Sequence, residues 1–304
     1  MKLSDLTTLG IGGPIQGVIK VKSHQELKEA IRKLPADGKG FLLLGGGSNL
    51  LVSDSGYPGI VIKNEVTGII RDKNNLTVQS GTNLQDLVDF ANSSGLCGLE
   101  NLAGIPGTVG GAIYGNAGAY GQAISDHLES VKVFDVISYQ ILDISKHDCQ
   151  FSYRNSVFKR SRYAILETVF SLSSADSKKL KQISKETIKK REVKYSPGIK
   201  CPGSFFQNIP IEKLPAKILA KLPKEFILFN KVSAGALLES VGAKGAKRGD
   251  IKIAPYHANL FINDGTGKAE DFYKLAREYQ GKVYEKYGIK LEPEVQLINF
   301  PPLV

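Results

Sequence analysis

Two glycine-rich stretches stand out, Gly98-Leu-Glu-Asn-Leu-Ala-Gly-Ile-Pro-Gly-Thr-Val-Gly-Gly111 and, nearer the start, Leu44-Gly-Gly-Gly-Ser-Asn49. The second follows an apolar run, Phe41–Leu44, that predicts a buried strand. Consecutive glycines permit positive φ angles, admit a ligand close to the backbone and present amide groups to anions. Each stretch alone is typical of tight turns. Together they favour two loops that wrap a phosphate-bearing ligand such as a pyrophosphate.

Two familiar nucleotide-binding patterns are missing from these stretches. The sequence contains neither the G-x-G-x-x-G fingerprint nor G-x-x-x-x-G-K-[ST]. It therefore predicts neither a standard dinucleotide-binding Rossmann site nor a P-loop.

Outward from the loops, apolar periodicity predicts strands and helices mixed along the chain. Ser23 and Asn83 are the expected N-caps of helices that end near Leu34 and Ser94. Further helices are expected over 233–241 and from 268 to about 287, and strands over 15–21, 41–44, 60–63, 76–80, 131–136, 164–170, 260–262 and 295–300. With 304 residues, about two domains' worth of chain, this mixture predicts an α+β protein of two or three lobes.

Composition excludes several classes of protein. Hydrophobic residues make up 42% and charged residues 23% of the chain, as in globular rather than disordered proteins. The apolar runs fall short of the ~18 residues of a membrane span, and Asp5 interrupts the start before a secretory signal can form. Three scattered cysteines and four dispersed histidines predict neither a disulfide framework nor a metal site. We therefore expect a cytoplasmic protein without a membrane or metal partner.

The net charge of +10 indicates an anionic partner. Residues 178–194 contain eight basic and two acidic residues, hence six of the ten charges. We expect a solvated connector helix over about 174–194, capped by Ser173 or Ser174 and packed through Leu180, Ile183, Thr187 and Ile188. The alternative is a nucleic-acid contact, which the absence of interleaved aromatic residues disfavours.

The glycine-rich stretches are also where the chain resembles a known family. Together with further blocks in the same order, they are similar to the UDP-N-acetylenolpyruvoylglucosamine reductases, the flavoenzymes that make UDP-N-acetylmuramate for peptidoglycan. The blocks span essentially the whole chain: Thr8-Leu-Gly-Ile-Gly-Gly13, Leu44–Val52, Gly98–Gly111, Asn116-Ala-Gly-Ala-Tyr-Gly121, Tyr153-Arg-Asn-Ser-Val-Phe-Lys159, Gly203-Ser-Phe-Phe-Gln-Asn208 and Leu291-Glu-Pro-Glu-Val295.

The resemblance implies a fold and a reaction. It implies a two-lobed FAD module of the vanillyl-alcohol-oxidase type over 1–64 and 65–195, followed by a smaller substrate lobe over 196–304. NADPH, a co-substrate, reduces tightly bound FAD. UDP-N-acetylglucosamine enolpyruvate then takes a hydride from flavin N5 at its methylene carbon and a proton at the next carbon. The chain's length matches the shorter subtype, without a substrate-covering loop, and no obligate protein partner is expected.

Three residues match the family's catalytic positions. Arg154 is expected to bind the substrate carboxylate and stabilise the charge that hydride addition pushes onto it. Glu294 is expected to assist it and Ser204 to donate the proton, which proximity makes possible for so weak an acid. Alone, each would more often be an ion pair, a turn residue or a strand-edge charge. Together they also argue against a related FAD oxidase.

The remaining site predictions follow from the same blocks. Tyr153 and Asn208 are expected beside the substrate, and His257 is expected to be structural. Phe205 and Gly115 depart from the family's commoner residues and are expected to reshape the pocket. The expected FAD contacts are Gly45, Gly46, Gly47, Ser48, Asn49, Gly104, Pro106, Gly107, Thr108, Gly110, Gly111, Asn116, Ala117 and Gly118.

Overall fold

The computed structural model describes residues 1–34 and 40–303, and the chain forms two compact units. The terminal unit comprises Met1–Pro14, Ser48–Tyr57 and Lys194–Val304, and the central unit comprises Ile15–Gly47 and Pro58–Val193. The predicted lobes 1–64, 65–195 and 196–304 have other boundaries, and that division stays a prediction. Residues 35–39 and 304, which those lobes include, lie outside the described residues.

Helices and strands are mixed along the described residues. The helices are α1 His24–Arg32, α2 Leu84–Ser93, α3 Val109–Gly115, α4 Ser177–Glu192, α5 Ala216–Leu219, α6 Ala234–Glu239 and α7 Ala269–Tyr287. Short 3-10 turns lie at Leu3–Leu6, Glu100–Leu102, Val157–Lys159, Ile211–Lys213 and Lys224–Phe226. The strands are β1 Ile15–Val21, β2 Phe41–Leu44, β3 Leu50–Val52, β4 Tyr57–Asn64, β5 Ile69–Asp72, β6 Asn75–Gln79, β7 Leu96–Cys97, β8 Gly118–Ala119, β9 Gln122–Ala123, β10 Leu128–Asp135, β11 Ile141–Ser145, β12 Tyr163–Ser171, β13 Ser173–Ser174, β14 Ile209–Pro210, β15 Ile227–Leu228, β16 Lys231–Val232, β17 Lys247–Arg248, β18 Ile251–Ile253, β19 Phe261–Asn263 and β20 Gln296–Ile298.

A five-stranded antiparallel sheet organises the central unit, in the order β11-β10-β12-β6-β5. Its register places Val131 opposite Thr168 and Val133 opposite Ile165, so alternate side chains of both strands face the core. Helix α2 packs its apolar face into the same core, and the Asn83 side chain caps the helix by accepting from the Gln85 amide at 2.8 Å.

A smaller sheet, β1-β4-β2, holds the first glycine loop. Strands β2 and β4 run parallel, with Leu44 level with Lys63. Ser23 caps α1 as expected, because its hydroxyl accepts from the Glu26 amide at 3.1 Å. The loop at Gly45 therefore begins where a largely half-buried parallel strand ends, a common place for ligand-binding loops.

The terminal unit packs around four phenylalanines. Phe205, Phe206, Phe261 and Phe272 are at most 1% exposed, and the Phe205 ring centroid lies 4.8–5.3 Å from the other three. Helix α7 packs against this cluster through Phe272. Near it, strands β3 and β20 pair in parallel although more than 240 residues separate them in sequence.

The basic helix differs from its prediction in two respects. Asp176 is the N-cap, accepting from the Lys178 amide at 2.7 Å, whereas Ser173 and Ser174 form β13 and pair with β7. The buried face includes Ser184 in place of Ile183, which is 38% exposed. Ser184 is accommodated because its hydroxyl bonds to the Asn92 side chain at 2.7 Å and the Glu100 carbonyl at 3.1 Å.

Over 1–34 and 40–303, no helix has the length and apolar character needed to cross a membrane. Within the same ranges, no three His, Cys, Asp or Glu side chains are grouped to hold a metal ion. The three cysteines are free thiols.

Candidate active site

The two glycine stretches meet within the central unit. A Cβ on Gly46 would lie 2.5 Å from the Gly107 Cα, and one on Gly45 would collide with the Thr108 side chain. Because real Cβ atoms do not approach that closely, this packing requires glycine at both positions. The main chains of the two loops are therefore in direct contact, and the surface they share is largely backbone.

Lys63 fixes the first loop and was missed by sequence reasoning. From the end of β4 its ammonium donates to the Gly45 carbonyl. Burial lowers the pKa of Lys63, although Glu65 opposes that shift. The only sequence signal was a lysine at the end of an apolar strand, which does not predict a partner.

The second stretch continues into helix α3. The Thr108 hydroxyl caps this helix, and Gly110 lies against Ser80, where a Cβ would meet another Cβ at 2.9 Å. Helix α3 ends at Asn116, which takes a left-handed φ of 44°. The Asn116 side chain donates to the Ser152 carbonyl at 2.9 Å, while its buried Oδ1 has no hydrogen-bond partner among the described residues.

Arg154 is bonded to this same segment. Its guanidinium donates to the Gly118 carbonyl at 2.8 Å and lies 5.3 Å from the Tyr153 ring centroid. The Arg154 backbone is left-handed, with φ of 54°, and its carbonyl accepts from Lys159 Nζ at 2.8 Å. The turn therefore fixes the direction of a half-buried guanidinium, whose planar group suits a carboxylate.

Ser204 lies in the terminal unit, beside the phenylalanine cluster. The Phe205 amide donates to the Asn259 carbonyl at 3.0 Å. The Asn259 side chain makes two bonds to the Phe206 backbone, each of 2.8 Å. Two buried phenylalanines and one asparagine thus fix the backbone on the C-terminal side of Ser204, which is itself half-buried.

Glu294 is joined to Ser204 through the intervening Phe205. The Glu294 amide donates to the Phe205 carbonyl at 2.7 Å. Asn49 completes the arrangement, because its side chain donates to the Glu294 carbonyl at 3.1 Å while its own carbonyl accepts from Gln296 at 2.9 Å. The structure therefore brings together three predicted residues, Asn49, Ser204 and Glu294, from distant parts of the sequence.

The Ser204 hydroxyl has two neighbours that sequence reasoning missed. The Tyr195 hydroxyl lies 3.0 Å from Ser204 Oγ, and the Lys194 ammonium donates to that oxygen at 3.2 Å. Both residues follow the basic helix, and neither belongs to a motif quoted above. Their only signal was proximity in sequence to the Gly203 block.

Two other predicted residues, Asn208 and His257, accept hydrogen bonds from backbone amides and so have structural roles. The Asn208 side chain accepts from the Ala234 amide at 3.1 Å. Burial, with Lys194 nearby, lowers the pKa of His257 to about 4, so its ring is neutral at pH 7 and accepts from the Asn259 amide at 3.2 Å. Phe205 is fully buried in the apolar core, and its effect on the pocket stays a prediction. A Cβ on Gly115 would meet no atom within 4 Å.

These features fit FAD. The touching glycine loops form a backbone-lined cradle, in which a Cβ at Gly45 or Gly46 would clash with the facing loop, and backbone-lined loops of this kind are typical of phosphate sites. The buried Asn116 Oδ1 is an acceptor for which the described residues supply no donor, and such atoms in native proteins usually meet a ligand or water.

Matches to known families first identify the class of protein to which the chain belongs. Residues 15–137 match the FAD binding domain family, which makes the chain a flavoprotein. Residues 194–298 match the C-terminal domain of UDP-N-acetylenolpyruvoylglucosamine reductase.

Full-length relatives give the particular family. The chain is 40% identical over 298 residues to the UDP-N-acetylenolpyruvoylglucosamine reductase of Solibacter usitatus, covering 98% of this chain and 95% of that one. It is 36% identical to the enzyme of Caldicellulosiruptor bescii, covering 98% and 89%. The crystal structure of the Thermus caldophilus reductase is similar, with a TM-score of 0.77, 32% identity and coverage of 98% and 97%. The chain belongs to the UDP-N-acetylenolpyruvoylglucosamine reductase family.

Several predictions are thereby confirmed. The family, the α+β fold with its vanillyl-alcohol-oxidase-type FAD module and substrate lobe, and the cofactor FAD agree with these matches. The individual roles of Arg154, Ser204 and Glu294 and the predicted FAD contacts stay predictions.

The glycine cradle leads to a test by substitution. Gly46→Ala places a Cβ 2.5 Å from the Gly107 backbone. We expect FAD affinity to fall about tenfold or more, since overpacking by one methyl costs about 1–3 kcal/mol. Flavin absorbance per polypeptide after purification measures the loss, and the melting temperature reports the fold. Gly115→Ala, which meets no atom within 4 Å, is the matched control. A Gly46→Ala protein with normal stability and full flavin content contradicts the cradle.

Proposed function

We propose that this chain uses NADPH and bound FAD to reduce UDP-N-acetylglucosamine enolpyruvate to UDP-N-acetylmuramate, a precursor of peptidoglycan. The observation that carries the proposal is the joining of Asn49, Ser204 and Glu294 through the Phe205 backbone. Ser204 and Glu294 lie within the region that matches the family's C-terminal domain.

The bound cofactor supplies hydride transfer, and the protein supplies position, charge and a proton. Arg154 binds the substrate carboxylate and stabilises the negative charge that develops there. Glu294, when protonated, donates a hydrogen bond to the same carboxylate. Ser204 gives its hydroxyl proton to the carbon beside the carboxylate, where fixed proximity compensates for its weak acidity.

The reactants also support a cellular location. NADPH and UDP-sugars are substrates of the cytoplasm, so we place the enzyme there. Cell fractionation followed by detection of the chain tests this assignment, and recovery in the membrane pellet after salt washing contradicts it.

An anaerobic titration tests the reaction. NADPH added without oxygen should bleach the flavin absorbance, and a stoichiometric amount of the enolpyruvyl substrate should then restore it and yield UDP-N-acetylmuramate. UDP-N-acetylglucosamine, which lacks the enolpyruvyl group, is the control and should restore nothing. Colourless protein that FAD cannot reconstitute contradicts the proposal, as does reduced flavin that the substrate leaves bleached.

The basic helix offers a second test, which asks whether this segment belongs to the substrate or NADPH path. Lys178, Lys179 and Lys181 are exposed near its N-terminus, and none of them has a role assigned above. Replacing all three by Glu should leave kcat/KM within about twofold. It should also slightly stabilise the fold, because negative charge near a helix N-terminus is favourable by about 0.3–1 kcal/mol per residue.

Steady-state kinetics and thermal unfolding measure both effects. A variant with Lys213, Lys217 and Lys221 changed to Glu applies the same change of charge to another exposed surface. Loss of activity in the first variant but not in the second would assign the helix to a substrate path.

A further inference from the structure

Two side chains touch the proposed proton donor, and this contact suggests a further role for one of them. We propose that Tyr195 is a positioning residue for Ser204, which orients the serine hydroxyl and returns a proton to its oxygen as the serine proton leaves. This inference rests on the proposed function.

The geometry limits where the serine hydrogen can point. A serine oxygen has two acceptor lone pairs and one hydrogen. The Lys194 ammonium, which can only donate, occupies one lone pair from 3.2 Å. The Tyr195 hydroxyl lies 3.0 Å from Ser204 Oγ, and either oxygen can donate in this bond. In the proposed arrangement the tyrosine donates to the second lone pair, which directs the serine hydrogen away from both neighbours and leaves it available for transfer.

Both neighbours are themselves held in place. The Tyr195 ring packs against the buried cluster of Cys201, Ala254, Leu260 and Ile262. The Lys194 carbonyl accepts from the Tyr256 hydroxyl at 3.3 Å. The Lys194 ammonium also lies 5.0 Å from the Tyr195 ring centroid, so a positive charge stands beside the phenol.

The proton transfers balance. The Ser204 O–H bond breaks as a C–H bond forms on the substrate carbon. The serine oxygen takes the Tyr195 hydroxyl proton, which leaves a tyrosinate beside the Lys194 ammonium. A phenol is a much stronger acid than an aliphatic alcohol, so this transfer removes an unfavourable serine alkoxide. Solvent then reprotonates the half-exposed Tyr195, and no electrons move in the relay.

Tyr195→Phe tests the relay in the FAD-loaded enzyme. We expect flavin reduction by NADPH to be unchanged, and reoxidation by the enolpyruvyl substrate to slow by about 10- to 100-fold, with KM within about threefold. Ser204→Ala combined with Tyr195→Phe should be no slower than Ser204→Ala alone, since the two residues act in one chain. Tyr284→Phe, which removes a hydroxyl from an exposed position of α7, should react like the wild type.

A spectroscopic measurement tests the contact without turnover. The ¹⁹F resonance of 3-fluorotyrosine at position 195 should shift when Ser204→Ala is introduced into the resting protein. An unchanged resonance, wild-type reoxidation by Tyr195→Phe, or additive losses in the double variant overturns the proposal. Wild-type enzyme that the enolpyruvyl substrate cannot reoxidise overturns the proposed function instead, and the fluorine shift then still reports the contact.

Discussion

Ser204→Ala is expected to keep flavin reduction by NADPH at the wild-type rate and to lower overall turnover by about 10²- to 10⁴-fold, the usual contribution of a positioned acid. Only the hydroxyl is removed, and the adjoining Phe205 and Phe206 backbone keeps its bonds to Asn259 and Glu294. The fold should therefore survive while the second half-reaction fails.

Stopped-flow absorbance under anaerobic conditions measures the two half-reactions of Ser204→Ala separately. Ser196→Ala, at an exposed position nearby in sequence, is the matched control and should leave both rates unchanged. Equal slowing of both half-reactions by Ser204→Ala would contradict the role of Ser204 as the proton donor.

Arg154→Ala is expected to lower turnover by about 10²- to 10³-fold, the cost of removing one fixed donor from developing negative charge. Arg154→Lys should recover only part of this loss, because an ammonium keeps the charge but cannot bind a carboxylate through two parallel hydrogen bonds. Stopped-flow reoxidation by the enolpyruvyl substrate measures both variants.

A control must separate the charge of Arg154 from its role in the turn, because its guanidinium also donates to the Gly118 carbonyl. Lys159→Met removes the side-chain bond to the Arg154 carbonyl and leaves the guanidinium in place. It should cost far less than Arg154→Ala. Equal losses in the two variants would assign Arg154 to the shape of the loop and not to the substrate.

Local patterns predicted most of the fold because helices and strands depend on short-range periodicity and caps. Ser23 and Asn83 cap helices where expected. At α4 the predicted caps Ser173 and Ser174 were wrong, because both pair with β7, with Ser173 opposite Cys97, and Asp176 is the N-cap instead. That pairing joins distant residues, which periodicity does not show.

The site was predictable only where motifs mark it. The glycine loops and the residues Arg154, Ser204 and Glu294 stand in recognisable blocks, whereas Lys63, Lys194 and Tyr195 do not. Phe205 stands in a recognised block, but the block did not predict that its side chain is fully buried. The direction of a side chain within a loop depends on tertiary packing.

The backbone of Phe205 has a consequence for how the chain tolerates change. Its amide and carbonyl are bound from two sides, by Asn259 and by Glu294, so a single residue sets the spacing between the Ser204 and Glu294 backbones. The long connection from Ile209 to Val232 contributes neither of these two hydrogen bonds, so it does not set that spacing. Insertions or deletions there should alter the periphery of the unit while the proposed acid and carboxylate keep their separation.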